Sequence, residues 1–466
     1  MKTIFRLLLA ALAFSSGYPA TAAESEKPNI LFIFADDWGW GDLSCHGHPY
    51  VKTPNIDRLA AEGTDFHRFT VASGVCSPSR TAVMTGHFPA RYNIDGHFAW
   101  VPSNEKRGMP DWLDTEAPTL PRFLQTAGYA TAHFGKWHLA NNMIPDSPVP
   151  SAYGYDEYGA FNCAGEQMPV HEDAMHTNAF IEKSVAEGKP FFVNLWVHEP
   201  HTPFHTVPKY EWRFREMESK EDAIYASVLS HADDRIGEVL DTLDRLKIAD
   251  NTLVIFSSDN GPARASKKGE LKLSYDTATG AGWGINAAKG ITAGRKGYKA
   301  ALFEGGINVP FIARWPGKIA AGTENKEALI SAVDLLPTFC EIAGVKLPPS
   351  YTPDGVSQVA ALKGEEGAKL REKPLFWKSQ APWPAQAAKP FHWVSYAIVD
   401  QQWKLVSNHD ASHTELYDLV ADPLEKTDLQ ESQPKIVLKL LKKIEDWKTT
   451  LPEKPAGNVF SEERNQ

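Results

Sequence analysis

Three continuous apolar runs constrain the fold more than any other feature: Asn29-Ile-Leu-Phe-Ile-Phe-Ala35, Phe191-Phe-Val-Asn-Leu-Trp-Val197 and Thr252-Leu-Val-Ile-Phe-Ser257. None alternates apolar with polar residues, so each reads as a strand buried on both faces. Val309-Pro-Phe-Ile-Ala-Arg-Trp315 is a weaker fourth, because Pro310 has no N–H to give to a ladder. Helical spacing falls between the runs, at 55–62, 119–127 and 222–246. Strands alternating with helices predict an α/β fold, a large, mainly parallel sheet flanked by helices.

The ends of the chain read differently. Lys2 and Arg6, the apolar stretch 7–14 and the small residues Ala20-Thr-Ala-Ala23 form a signal-peptide pattern over 1–23. This predicts an exported chain, periplasmic or secreted, with no membrane span once the leader is removed, since the apolar stretch is far shorter than the ~20 residues a span needs. Residues 24–345 then read as the larger, main domain, the one expected to carry any catalytic site. After Pro348-Pro349 come short aromatic strand-like runs at 393–399 and 403–406. A last helix opens at Pro434 with a stripe of Ile436, Val437, Leu440, Leu441 and Ile444. Residues 346–466 therefore read as a smaller C-terminal α+β subdomain, an antiparallel sheet plus a helix.

A net charge of −10 over 466 residues gives no general attraction for a polyanion and argues against nucleic-acid binding. An anionic substrate has to be held by a local cluster of cations. The four cysteines, Cys45, Cys76, Cys163 and Cys340, are too widely spaced for a zinc module. They allow at most one disulfide if Cys76 is used otherwise, and the sequence does not choose the pair.

Chemistry gathers where the apolar runs stop. Asp36-Asp37 follows the first, His198-Glu-Pro-His201 the second and Asp259-Asn260-Gly261 the third. Ligands of open α/β sheets bind outside the carboxyl ends of the strands, so the three clusters are expected to face one crevice. Alone, Asp-Asp would cap a helix and Asp-Asn-Gly would make a turn. Asp36, Asp37, Asp259 and Asn260 offer only hard oxygen donors, a set for calcium or magnesium and not for zinc or copper. Calcium is favoured, because a dedicated protein cage leaves little room for the waters magnesium keeps.

A fourth element carries its own logic. In Cys76-Ser-Pro-Ser-Arg80-Thr-Ala-Val-Met-Thr-Gly86, Pro78 suits the first turn of a helix running to about residue 84. Residue 76 then sits at a helix N-terminus, where free N–H groups favour an anion, and Arg80 lies one turn on. Gly135-Lys136-Trp137-His138 alternates two polar side chains, which an extended segment would place on one face. Lys299 precedes Phe303-Glu-Gly-Gly306; by itself it reads as a solvated lysine.

These motifs, in this order, resemble the formylglycine-dependent sulfatases of the alkaline phosphatase superfamily. The likeness covers nearly the whole mature chain, from Pro28-Asn-Ile and Asp36-Asp37, through Trp40-Gly-Asp42, Thr53-Pro-Asn-Ile-Asp57, the Cys76 segment, Gly135-Lys-Trp-His138, Pro200-His-Thr-Pro203, Ser258-Asp-Asn-Gly261 and Phe303-Glu-Gly-Gly306, to Glu415-Leu-Tyr-Asp-Leu419. It implies that a separate maturation enzyme oxidises Cys76 to formylglycine, which acts as its hydrate. It implies one calcium ion held by Asp36, Asp37, Asp259, Asn260 and residue 76. Arg80 would orient the hydrate, Lys136, Lys299 and His201 would grip sulfate, and His138 would act as a base. His201 matches the motif better than His198, and His201 or Lys299 would protonate the leaving oxygen. Asn162 falls near a sulfate-contacting position.

The segments 37–42 and 154–163 resemble the branch acting on 6-sulfated N-acetylgalactosamine. That implies an exo-acting sulfuric ester hydrolase on sulfated carbohydrate, with 6-sulfated N-acetylgalactosamine or galactose-like sugars favoured. Trp283, Trp377, Trp383 and Trp393 are candidates to stack on sugar rings, although tryptophans of this kind mostly pack in cores. The competing readings are a phosphate or phosphonate ester hydrolase of the same superfamily and a non-catalytic glycan-binding relative. The single oxygen-rich cluster argues against a two-zinc phosphatase, and the full set of Cys76, Arg80, Lys136, His138 and Lys299 argues against a binding protein.

Overall fold

Eight strands build the main sheet of the computed structural model: β1 (Asn29–Ala35), β2 (Thr64–Phe66), β3 (Ala130–Lys136), β4 (Glu157–Phe161), β5 (Phe191–Trp196), β6 (Thr252–Ser258), β7 (Phe311–Arg314) and β8 (Thr323–Asn325). Their order across the sheet is β8-β2-β7-β6-β1-β5-β3-β4. The structure describes residues 27–265, 270–365, 371–380 and 390–465. The leader read at 1–23, and Trp383, lie outside them.

The three apolar runs are the parallel strands β6, β1 and β5 at the centre, continued in parallel by β3 and β4. Side chains alternate across a strand, so β1 feeds two cores. Ile30, Phe32 and Phe34 pack into one cluster, and Leu31, Ile33 and Ala35 into the other. The first cluster is closed by helix Cys76–Thr85, helix Leu120–Gln125 and the C-terminal sheet, the second by helices Pro54–Ala61, Asp173–Ala186 and Lys220–Arg245. A strand covered on both sides has no polar face to show, which is why its sequence is unbroken.

The weak fourth run is a strand, but it runs antiparallel to β6. Four strands carry no apolar run. In β3, Ala-Thr-Ala-His-Phe-Gly-Lys, the buried His133 and Thr131 interrupt it. Strands β2, β4 and β8 are three to five residues long, too short for a periodic signal.

The C-terminal segment forms four antiparallel strands, Leu375–Lys378, Tyr396–Asp400, Trp403–Ser407 and Thr414–Asp418, with helix Pro434–Lys448 on them. Leu440 and Ile444 of its stripe are buried, and Trp447 stacks on Phe376 with ring centres 4.9 Å apart. Ile398, Leu405 and Leu416 join the same core as Ile30 and Phe32, so the small sheet is packed onto the large one. No described helix is long and apolar enough to cross a membrane. All four cysteines are unbridged.

Candidate active site

Pairing fixes where the chain leaves the sheet. Ala35 stands opposite Ser258, and Gly135 opposite Trp196, so β1, β6, β3 and β5 end at one edge. Lys136 is the last residue of its strand there, and Asp36, Asp259 and His198 follow within two residues of their strand ends. Asp37 takes the left-handed conformation, φ 67°, which Asp tolerates better than most residues. That turn lets its N–H donate to Asp259 Oδ1 at 3.2 Å and its Oδ1 accept from Asn260 Nδ2 at 2.7 Å. Gly261 is required by close approach: a Cβ there would lie 2.0 Å from the Gly305 carbonyl oxygen.

Cys76 is the first residue of its helix, which is buried along its whole length. Arg80, one turn on and fully buried, sends Nε and Nη2 to Asp259 Oδ2 at 3.0 and 2.7 Å and Nη1 to the Lys136 carbonyl at 3.1 Å. Its guanidinium carbon lies 4.8 Å from the centre of the Trp196 ring. Lys136 Nζ contacts Asp36 and lies 3.7 Å from Cys76 Sγ. Lys299 Nζ lies 2.7 Å from the Asp37 carboxylate. Donor atoms of Asp36, Cys76 and Asp259 lie within 4.8 Å of one another.

Three carboxylates thus face three cations in a largely buried site. Burial would raise the Asp36 carboxyl, yet His201, Lys136, Arg80 and Lys299 hold it well below its ordinary value. Burial, with the Asp36 charge beside it, pushes Asp259 up. Burial also pushes the Cys76 thiol up to about 11, against the pull of Lys136, so an unmodified thiol stays protonated at neutral pH. Asp36 Oδ1 and Asn260 Oδ1 are buried acceptors without a hydrogen-bond partner among the described residues.

The histidines surround this cluster. Ring nitrogens of His198 and His201 lie within 4.8 Å of an Asp36 oxygen. His201 Nδ1 donates to the Thr202 carbonyl at 2.6 Å, which leaves Nε2 with its lone pair. His138 Nε2 donates to the Phe98 carbonyl at 3.0 Å, and its Nδ1 is buried without a partner among the described residues. Burial first, then nearby cations, hold both His138 and His201 well below their ordinary values, so both are neutral.

Lys136 and His138 do not share the face of an extended segment. The strand stops at Lys136, and His138 is left-handed, φ 53°. Gly135, φ 108° and packed on the Trp196 carbonyl, begins this turn. Asn162 is tied to the group through its backbone carbonyl, which accepts from the His138 N–H at 3.3 Å.

Residues 28–345, two thirds of the chain, match the sulfatase family. The chain belongs to the sulfatases. It is an enzyme of that family, and residues 296–450 also match the C-terminal region of N-sulphoglucosamine sulphohydrolase. The sulfatase is 31% identical to canine N-acetylgalactosamine-6-sulfatase over 80% of its own length and 72% of that protein. It is 28% identical to N-acetylgalactosamine-6-O-sulfatase of Bacteroides thetaiotaomicron over 96% and 100%. Among solved structures it superposes on Ps i-CgsB in complex with k-i-k-neocarrahexaose with a TM-score of 0.76 at 26% identity, covering 94% and 96% of the two chains. The phosphonate monoester hydrolase of Agrobacterium radiobacter, at 20% identity and a TM-score of 0.61, shares the fold.

One histidine that the sequence did not signal stands beside the candidate site. His97 stands 6.2 Å from the His138 ring, and burial, then Arg107, Lys299 and Lys136, bring it down to about 3. It is a lone histidine on a loop, with no spacing to mark it. Of the tryptophan candidates, Trp283, Trp377 and Trp393 pack against the cores. Trp377 is fully buried and donates to the Val71 carbonyl at 2.8 Å. Trp393 stands against His413 with ring centres 4.1 Å apart, and the Trp283 ring lies 5.0 Å from Lys220 Nζ.

Proposed function

We propose that this sulfatase releases sulfate from sulfated glycans, acting from a chain end on 6-sulfated N-acetylgalactosamine or a galactose-like sugar. The observation that carries the reading is the grouping of Cys76 with Lys136, Arg80 and three aspartates at one sheet edge. The names of the canine and Bacteroides relatives support the sugar and the position.

The donors suit a hard cation. Asp36, Asp37, Asp259 and Asn260 present oxygens only, and two of those oxygens are buried acceptors that no described group satisfies. These residues, with residue 76, would hold calcium. When bound, the ion supplies neutralising charge for sulfate and acidifies a hydroxyl placed on it. Conversion of Cys76 to formylglycine by a separate maturation enzyme supplies an oxygen nucleophile where the buried thiol would be inert.

The protein's own groups do the rest. Lys136 and Lys299 leave their aspartates to face the sulfate oxygens, where charge grows as the S–O bond breaks. Arg80 keeps Asp259 aimed into the site through two hydrogen bonds. His138 Nδ1, free of a described partner and neutral, takes a proton from residue 76. A sugar alkoxide needs an acid as it departs; Lys299 holds a proton to give, and His201 serves in that role only once its Nε2 has taken one up. Asn162 adds a sulfate contact at the rim. An exported protein meets such glycans outside the cytoplasm.

Sulfate release is measured on N-acetylgalactosamine and galactose carrying the ester at the 6, 4 or 2 position. The reading expects 6-sulfated sugars to give the highest kcat/KM. Activity on small aryl sulfates alone would remove the glycan assignment.

A further inference from the structure

Behind the loop that carries His198 and His201 lies a second cluster, built from three elements. Glu199 belongs to that loop and is fully buried. His171 comes from the segment before helix Asp173–Ala186, and His231 from helix Lys220–Arg245. A ring nitrogen of each histidine and a Glu199 oxygen lie within 4.8 Å of one another. We propose that His171, Glu199 and His231 form a second metal site, for a transition metal of the zinc type, separate from the oxygen-rich cluster.

Four observations carry this. First, the donor set is two imidazoles and one carboxylate, which suits zinc and leaves a fourth position for water. Calcium, which takes oxygens, does not favour it.

Second, His171 Nε2 lies 3.2 Å from Glu199 Oε1, yet it is buried without an aligned hydrogen bond to any described group. Two ligands on one tetrahedral ion with bonds of ~2.0 Å stand about 3.3 Å apart. The pair is thus spaced for a shared ion and poorly aligned for a shared proton.

Third, the charges do not balance. Asp173 and Glu199 both pair with the single guanidinium of Arg235, at 2.9 and 2.6 Å. All three are buried, so two carboxylates face one cation. Arg235 Nη1 also donates to Glu199 Oε1 at 3.0 Å, which leaves that oxygen a second lone pair. A ligating carboxylate is commonly oriented by such a bond.

Fourth, the histidines are held and reachable. His231 stacks on Tyr210 with ring centres 4.9 Å apart, and burial, then Arg235, hold it neutral, at about 3. The His171 side chain is 29% exposed, an entry path. An ion here ties helix Lys220–Arg245 and the 162–172 segment to the loop between His198 and His201.

The proposal does not depend on the substrate. Protein freed of transition metals and kept in excess calcium, so that the oxygen-rich cluster is filled, is titrated with zinc chloride in a calorimeter. The expected result is one equivalent bound, with affinity at least tenfold weaker in His171→Ala and in His231→Gln and unchanged in His409→Ala, an exposed histidine elsewhere. Cobalt(II) should give the intense visible bands of a tetrahedral nitrogen-bound ion, lost in His171→Ala. No binding, or binding that His171→Ala leaves undiminished, overturns the site and returns the cluster to an ion pair. His171 lies on a partly exposed loop, so its variant decides the question even if His231→Gln does not fold.

Discussion

Arg80 Nη2 lies 2.7 Å from Asp259 Oδ2, and neither side chain reaches solvent. The guanidinium fork takes that one oxygen through two N–H groups and leaves Asp259 Oδ1 turned toward Asp37. Lysine cannot reproduce the fork. Arg80→Lys is expected to lower kcat strongly, and Arg80→Ala to cost about 3–5 kcal/mol of folding stability by stranding a buried carboxylate. Denaturant unfolding alongside sulfate release checks both.

Lys136 and Lys299 are the two ammonium groups aimed at Asp36 and Asp37. If they serve sulfate in the transition state, each acts as one charge-stabilising donor. Lys136→Met and Lys299→Met should each lower kcat/KM by roughly 10²–10³-fold, the loss seen when one such donor is removed. A change confined to KM would make them ground-state binders only.

A cation held by Asp36, Asp37, Asp259 and Asn260 would bind the folded chain alone. Added calcium should therefore raise the thermal midpoint, by about 4 kcal/mol of stability at a thousand times its dissociation constant. Chelation should abolish activity reversibly. In Asp37→Asn the calcium-dependent rise should shrink, as scanning calorimetry would show.

Asp65, on β2, lies outside this cluster. Burial would raise its carboxyl, but the hydrogen bond with His46 and the His67 ring 3.5 Å away outweigh that and hold it at about 2. His46 Nε2 stands 2.6 Å from Asp65 Oδ2. A carboxyl depressed in the folded state stabilises it above its unfolded pKa of ~3.9, and that contribution is lost as pH falls toward 2. The stability difference between the native chain and Asp65→Asn should be on the order of 2 kcal/mol at pH 5 and vanish below pH 2. A difference independent of pH would assign the effect to packing.

Lys404, on the small sheet, is fully buried between Glu304 and Glu425, 2.8 Å from each. Glu304 follows the segment carrying Lys299, so this contact anchors Lys299 from the C-terminal side. Lys404→Met should destabilise by about 3–5 kcal/mol and raise KM in whatever protein remains folded.

The central strands were legible because a strand covered on both faces leaves only apolar residues to read. β3 was hidden by His133, a buried polar residue in mid-strand. The direction of β7 was hidden as well, since pairing partners are not written in a strand's own sequence. The convergence of Asp36, Asp259 and His201 followed from one rule about strand ends. How Lys136 and His138 reach the same place did not, because it depends on a left-handed turn at His138. His97 carried no signal, since a single loop histidine comes to stand beside a site only through the packing around it.

The central claim is that residue 76 acts as an oxygen nucleophile. It is tested most directly by mass spectrometry of the tryptic peptide 69–80 from active protein. The account predicts that Cys76 has lost SH2 and gained one oxygen, the change to formylglycine, in proportion to activity. Full activity with an unmodified thiol at position 76 would contradict it.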